Sequence, residues 1–162
     1  MQSKGSPPAQ SAETVIDAVL SASRVLVAVA ARSLSDIAEE VTLTQYRTLI
    51  VLASRGPQNL AGLADSVGVT PATATRMCDR LVKKELVTRT AEPGDRRHVH
   101  LALTTKGLAL VSAVTKRRRQ EIKTIVSAIS NKEQAVLIQA LSRFAAAAGE
   151  VPEQDWSTGW DL

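Results

Sequence analysis

The stretch that most limits what this chain can fold into covers residues 59–103, NLAGLADSVGVTPATATRMCDRLVKKELVTRTAEPGDRRHVHLAL. Its middle reads as a helix with a marked start. Thr70 suits an N-cap, and Pro71 suits the first helical position, where no backbone N–H is needed. Ala74, Met77, Cys78, Leu81 and Val82 then recur at i, i+3, i+4, i+7 and i+8, one face of an α-helix. The opposite face carries Ala72, Arg76, Asp79 and Lys83, flanked by Thr73, Thr75 and Arg80. Small residues in its first half let another surface come close to the backbone. Short hydroxyls and a long arginine are what reading base edges in a DNA major groove requires. A solvated amphipathic helix would show the same periodicity, so the neighbouring segments decide.

Upstream, Leu60, Leu63, Ala64 and Val67 form a short apolar stripe, and Gly68 permits a sharp turn before Val69. A short helix, a glycine turn and a capped second helix make a helix-turn-helix signature. Downstream, residues 86–90 and 99–103 are β-prone, with the Pro93-Gly94 turn signal in the loop 91–98 between them. Asp95, Arg96 and Arg97 are thereby expected near the tip of a hairpin, and a charged hairpin directly after a helix-turn-helix is a wing.

With these residues in place the sequence resembles the MarR (multiple-antibiotic-resistance regulator) family of winged-helix transcription factors. The resemblance rests on Thr70-Pro71-Ala72-Thr73-Ala74-Thr75-Arg76 leading to Asp79-Arg80-Leu81, then Asp95-Arg96-Arg97, then Leu103-Thr104-Thr105-Lys106-Gly107. It extends over roughly residues 13–148. It implies a mainly α fold with a small β-hairpin wing, a winged helix-turn-helix flanked by long dimerisation helices. It also implies a homodimer on a pseudo-palindromic duplex DNA operator, acting as a repressor that a small aromatic or phenolic effector releases. On this reading Thr73, Thr75 and Arg76 face base edges, while Pro71, Ala72 and Arg80 position the helix on the backbone. Arg97 enters the minor groove, held by Asp95, with Arg96 on phosphate.

The rest of the chain fits one domain of 162 residues. Residues 1–11 are rich in Ser, Pro and Gly and read as a disordered tail; residues 12–40 are helical in pattern, with no Gly or Pro. Thr44 is expected to cap a helix through Ser54, with Tyr46, Leu49, Ile50 and Leu52 inward and Gly56-Pro57 ending it. These elements open the DNA-binding region, residues 42–104. Thr104 is expected to cap a helix over 105–128, around which Lys116-Arg117-Arg118-Arg119 wraps, too spread to face a single partner. Ser130-x-x-Glu133 is a capping box for a last helix bearing Val136, Leu137, Leu141 and Phe144. The segments 12–40 and 105–148 carry apolar stripes that complete no core of their own, so they are assigned to dimerisation. The tail 149–162 holds Trp156 and Trp160, spaced for docking on the same subunit or a partner.

Binding outweighs chemistry. A formal charge of +4 favours a polyanionic partner. From Thr70 to His100 seven basic residues stand against four acidic ones, 7 − 4 = +3. His98, His100 and the single cysteine, Cys78, lack metal-site spacing, and no phosphate loop or nucleophile motif appears; no enzyme, metal or cofactor is expected. The lone cysteine suits a reducing compartment, and no signal pattern or apolar run of membrane length is expected, so the chain is assigned to the cytoplasm without a membrane partner. Two alternatives stay open: a thiol-based redox regulator using Cys78, and a winged-helix module that contacts protein. Against the first, Cys78 lies on the apolar stripe, where cysteines are inert. Against the second stands the basic helix-and-wing surface, which a salt-sensitive gel shift would test.

Overall fold

The computed structural model describes residues 11–35, 41–92 and 95–156, with the side chains of residues 91–98 outside that description. The element order is α1 (Ala12–Leu34), α2 (Leu43–Arg55), β1 (Gln58–Asn59), α3 (Leu60–Val67), α4 (Pro71–Lys83), β2 (Val87–Glu92), β3 (Asp95–Leu103), α5 (Thr105–Val126) and α6 (Asn131–Ala147), then a 3-10 turn at Glu153–Asp155. The three strands form one antiparallel sheet in the order β1-β3-β2. This is the mainly α fold with a hairpin wing that the sequence implies.

Most helix starts follow local chemistry. Thr70 accepts from the Thr73 amide, Thr104 from the Gly107 amide, and Ser130 from the Glu133 amide in a complete capping box. The expected Thr44 cap is corrected. Thr42 caps α2 instead, because Gln45 three residues on returns a bond to the Thr42 amide and closes a capping box. α1 ends at Leu34 rather than running to Glu40. The Ser35 amide and hydroxyl both turn back to the Arg32 carbonyl, and residues 36–40 lie outside the description. α5 likewise stops at Val126, not Ala128.

The hairpin is longer than expected. Residues 91–92 and 95–98, read as loop, continue the two strands, from Val87 opposite Leu103 to Glu92 opposite Asp95. The ladder is irregular between Ala91 and Glu92, so pairing persists past a bulge that the turn signal had suggested would end it. β1 was not anticipated; two residues are too short to show a period.

The core lies beneath the helix-turn-helix, where Leu49, Leu52, Leu63, Cys78, Leu81, Leu86, Val111 and Val114 are fully enclosed. Gly68 takes φ +74°, the left-handed conformation that ends α3 cheaply only for glycine. Gly107 is needed for a different reason: a Cβ there would stand 2.1 Å from the Leu86 carbonyl oxygen. The Leu-Thr-x-x-Gly spacing is thus a stitch. Thr104 donates to the Glu85 carbonyl at 2.6 Å, its amide donates to Leu86, and the start of α5 closes onto the turn leaving α4.

Outside that core the helices are bare. Val29, Ser33 and Leu34 seat the end of α1, and Arg32 pairs with Glu121 of α5 at 2.7 Å. Val15, Ile16, Leu20, Val25, Leu26 and Val27 of α1 are nonetheless exposed, as are Val136, Ile138, Leu141 and Phe144 of α6, which buries no residue. The expectation that no apolar run reaches membrane length is also corrected: α1 is long and apolar enough by length and composition, because its outward face is nearly as apolar as its inward one.

Candidate nucleic-acid interface

α4 is held by its apolar stripe and shows its opposite face to solvent. Ala74, Met77, Cys78 and Leu81 are buried, and the Thr48 hydroxyl of α2 donates to the Met77 sulfur at 3.2 Å. Pro71, Ala72, Thr73, Arg76, Asp79, Arg80 and Lys83 are exposed, and Thr75 is half-buried. The structure therefore brings the candidate residues of this helix onto one accessible face. Among the described residues no carboxylate pairs with Arg76, Arg80 or Lys83.

The hydroxyls on this face differ in what they still offer. The Thr70 hydroxyl donates to that of Thr73 at 3.0 Å, leaving the Thr73 proton to seek another acceptor. Thr75 instead donates to the Pro71 carbonyl at 2.9 Å, so its oxygen can only accept. In sequence the two threonines look alike, but the second turns into its own helix.

One contact has no signal in the sequence. Arg89 of β2 forms an ion pair with Asp79 of α4, bridging the helix and the hairpin on the exposed side. One of the seven basic charges counted on this surface is thus paired with one of the four acidic ones. The pair joins residues whose approach depends on the angle between helix and strand, which no spacing rule gives. That angle is set at the Lys84–Glu85 turn, where Glu85 takes φ +60°, a left-handed conformation costly for a residue with a Cβ.

Asp95, Arg96 and Arg97 open β3 at the far end of the hairpin, and their side chains lie outside the described residues. His100 pairs across the sheet with Asn59 and Thr90; the His98 side chain is likewise outside the description. No group of three His, Cys, Asp or Glu residues that could hold a metal occurs among the described residues. Cys78 is fully buried, and burial pushes its thiol above the ordinary range, with the nearby Arg89 guanidinium pulling weakly the other way. A thiol in that state offers little thiolate for oxidation.

A second feature lies away from this face. Tyr46 is buried, with its hydroxyl 3.5 Å from that of Thr115, and burial raises its pKa. The Arg118 guanidinium lies beside the phenol, and among the described residues its buried Nε finds no acceptor. Thr115 and Arg118 border a cavity of about 270 Å³, walled also by Arg47 and Ile50 of α2 and by Glu150, Glu153 and Trp156 of the C-terminal segment. The run Lys116–Arg119 does wrap its helix: Arg117 donates to the Ser33 carbonyl, Arg118 faces this cavity, and Arg119 pairs with Glu153.

Comparisons with known proteins agree with this architecture. The model of the MarR family matches residues 41–99. The chain is 32% identical over 104 residues to the HTH-type transcriptional repressor NicR of Pseudomonas putida, a match covering 64% of this chain and 66% of that protein. It is 30% identical over 100 residues to the HTH-type transcriptional regulator MhqR of Bacillus subtilis, covering 62% of this chain and 69% of that one. Among solved structures, RV1404 from Mycobacterium tuberculosis superposes with a TM-score of 0.80 at 43% identity, covering 90% of this chain and 99% of that one.

Proposed function

The chain belongs to the MarR family of transcriptional regulators, and on that premise we propose that it acts as a homodimeric, sequence-specific DNA-binding repressor released by a small-molecule effector. The observation that carries the reading is the exposed face of α4, where among the described residues no carboxylate pairs with Arg76, Arg80 or Lys83, above a buried apolar stripe. Thr73, Thr75 and Arg76 read bases, with Thr75 restricted to accepting from an amino group such as that of adenine or cytosine. Pro71, Ala72 and Arg80 seat the helix on phosphates. At the wing, Asp95 orients Arg97 into the minor groove and Arg96 meets phosphate. The repressor assignment draws on the name of NicR.

Dimerisation is supported by the bare faces of α1 and α6, which leave large aliphatic side chains and Phe144 in water unless a second copy covers them. A two-fold dimer would match a two-fold operator. For the effector, the cavity beneath the C-terminal segment has fitting chemistry. The buried Arg118 Nε would meet a carboxylate or phenolate, and Trp156 and Ile50 would flank an aromatic body. A buried charged donor without an acceptor is costly, so a matching anion gains affinity by relieving it.

Repeated selection of duplexes from random DNA tests the proposal. The expected product is an inverted repeat with half-sites about one helical turn apart. A pool that stays without a shared motif, while the protein remains folded, would remove sequence-specific binding.

A further inference from the structure

The C-terminal segment is fastened more closely than the helix it leaves. α6 buries none of its own residues, yet beyond its end the chain is tied down repeatedly. Arg55 of α2 donates to the Gly149 carbonyl at 2.7 Å. Arg47, also of α2, grips Glu150 with both terminal nitrogens at 2.8 and 2.7 Å. Arg119 of α5 meets Glu153 at 2.6 Å. Trp156 then enters the main core with 9% of its surface exposed, its indole N–H donating to the Val151 carbonyl at 3.2 Å.

Two of these ties land on α2, the helix whose Thr48 donates to Met77 of α4. The segment therefore connects the bare face of α6 to the helix that supports the exposed basic face. We propose that this segment is a strap whose positioning residues Arg47, Glu150 and Trp156 hold each DNA-binding lobe at a set angle to the dimer helices, fixing the half-site separation the protein accepts. The inference rests on the dimeric DNA-binding reading above. Trp156 supplies the anchor, since a buried indole removes a large apolar area from water. The Arg47–Glu150 fork supplies direction, because two parallel bonds to one carboxylate define an orientation that a single contact does not. Both side chains of that pair are more than a third exposed, so its worth lies in geometry rather than in folding energy. Spacing is a sensitive readout: one added base pair moves a half-site by about 3.4 Å along the helix axis, and it also rotates it about that axis.

The test uses a duplex recovered by selection from random DNA, with its central spacer lengthened or shortened by one and two base pairs. Fluorescence anisotropy at fixed salt gives the affinities of the wild type, Glu150→Gln, Trp156→Ala, Trp156→Phe and the exchanged pair Arg47→Glu with Glu150→Arg. The wild type is expected to prefer its selected spacing by tenfold or more. Glu150→Gln and Trp156→Ala should compress that preference to threefold or less, while Trp156→Phe and the exchanged pair restore it. Glu150→Gln removes the fork without opening a hole in the core, so it keeps the test valid should Trp156→Ala unfold. An equal loss of affinity at every spacing, with the preference kept, would reduce the strap to a stabilising contact and overturn the proposal, as would no change at all. A wild type that binds without sequence preference would instead overturn the DNA-binding reading itself, and the strap's role with it.

Discussion

Residues 42–104 and the helices that flank them handle their apolar surface in opposite ways. In the helix-turn-helix lobe the inward stripes are covered within the protomer: Leu49, Leu63, Cys78 and Leu81 have no measurable exposure. Along α1 and α6 the stripes are just as regular, yet Val27 is 60% exposed, Ile138 66% and Phe144 57%. Periodicity alone does not distinguish the two regions. The difference teaches that the lobe's stripes are enclosed within the protomer, with Val111, Val114 and Trp156 completing its core, while those of α1 and α6 are left uncovered by it.

Substitutions on the two sides should separate sharply. Leu81→Ala empties a fully enclosed site and should cost about 2–5 kcal/mol in denaturant unfolding, whatever the protein concentration. A cost under ~1 kcal/mol would mean the lobe core is looser than drawn. Phe144→Asp should leave the intrinsic stability of the lobe alone but remove roughly 1.5–3 kcal/mol of burial from each side of a dimer interface. Light scattering across a dilution series should then report 17.3 kDa where the wild type gives twice that mass. An unchanged mass at all dilutions would show that this face of α6 is not the interface.

On the lobe's outward face, Arg76→Ala should cost about 1–3 kcal/mol per half-site, concentrated at one base position, with the melting temperature unmoved. Uniform weakening over all sequences would reassign Arg76 to phosphate. Cys78→Ser places a hydroxyl on the buried side of the same helix. The cost should be roughly 1 kcal/mol, at the low end for a buried polar group, since serine can donate to the carbonyl four residues back. DNA binding should persist, and any response to peroxide with it; a response lost with binding intact would favour the thiol-switch alternative.

The smallest effect belongs to the strap that joins the two regions. Hydrogen bonding from Arg47 holds the Glu150 carboxyl below its usual range. The pair's stabilisation is therefore complete above the unfolded value of about 4.3 and lost as pH falls through the lower folded value. For a pair this exposed it should reach only about 0–1 kcal/mol. Acid titration of stability should lose that increment in Glu150→Gln, and identical curves would show the fork contributes nothing to folding.

What could be read in advance was what is local. The caps at Thr70, Thr104 and Ser130, the Gly68 turn and the buried stripe of α4 each depend on residues within one helical turn, and each stands where expected. The Thr42 start of α2 was missed because Thr44 offers similar chemistry two residues on, and only the Gln45 return bond separates them. Contacts that depend on how elements cross were not legible at all. Asp79 with Arg89 and Arg47 with Glu150 are ordinary surface charges until the fold sets their directions. Trp156 lay between these cases: its composition marked a docking segment, but only the packed groove shows that it docks on its own protomer.

Sequence specificity at the α4 face is what the proposed function most depends on. Its most direct test is the affinity of the intact protein for a selected duplex and for a base-scrambled duplex of equal length and composition, measured together across a range of salt. Both affinities should fall as salt rises, because Arg80, Lys83 and the wing arginines release counterions. Their ratio should remain on the order of a thousandfold or more near physiological salt. A ratio near one at every salt concentration would contradict the account, leaving a basic surface that attracts DNA without reading it.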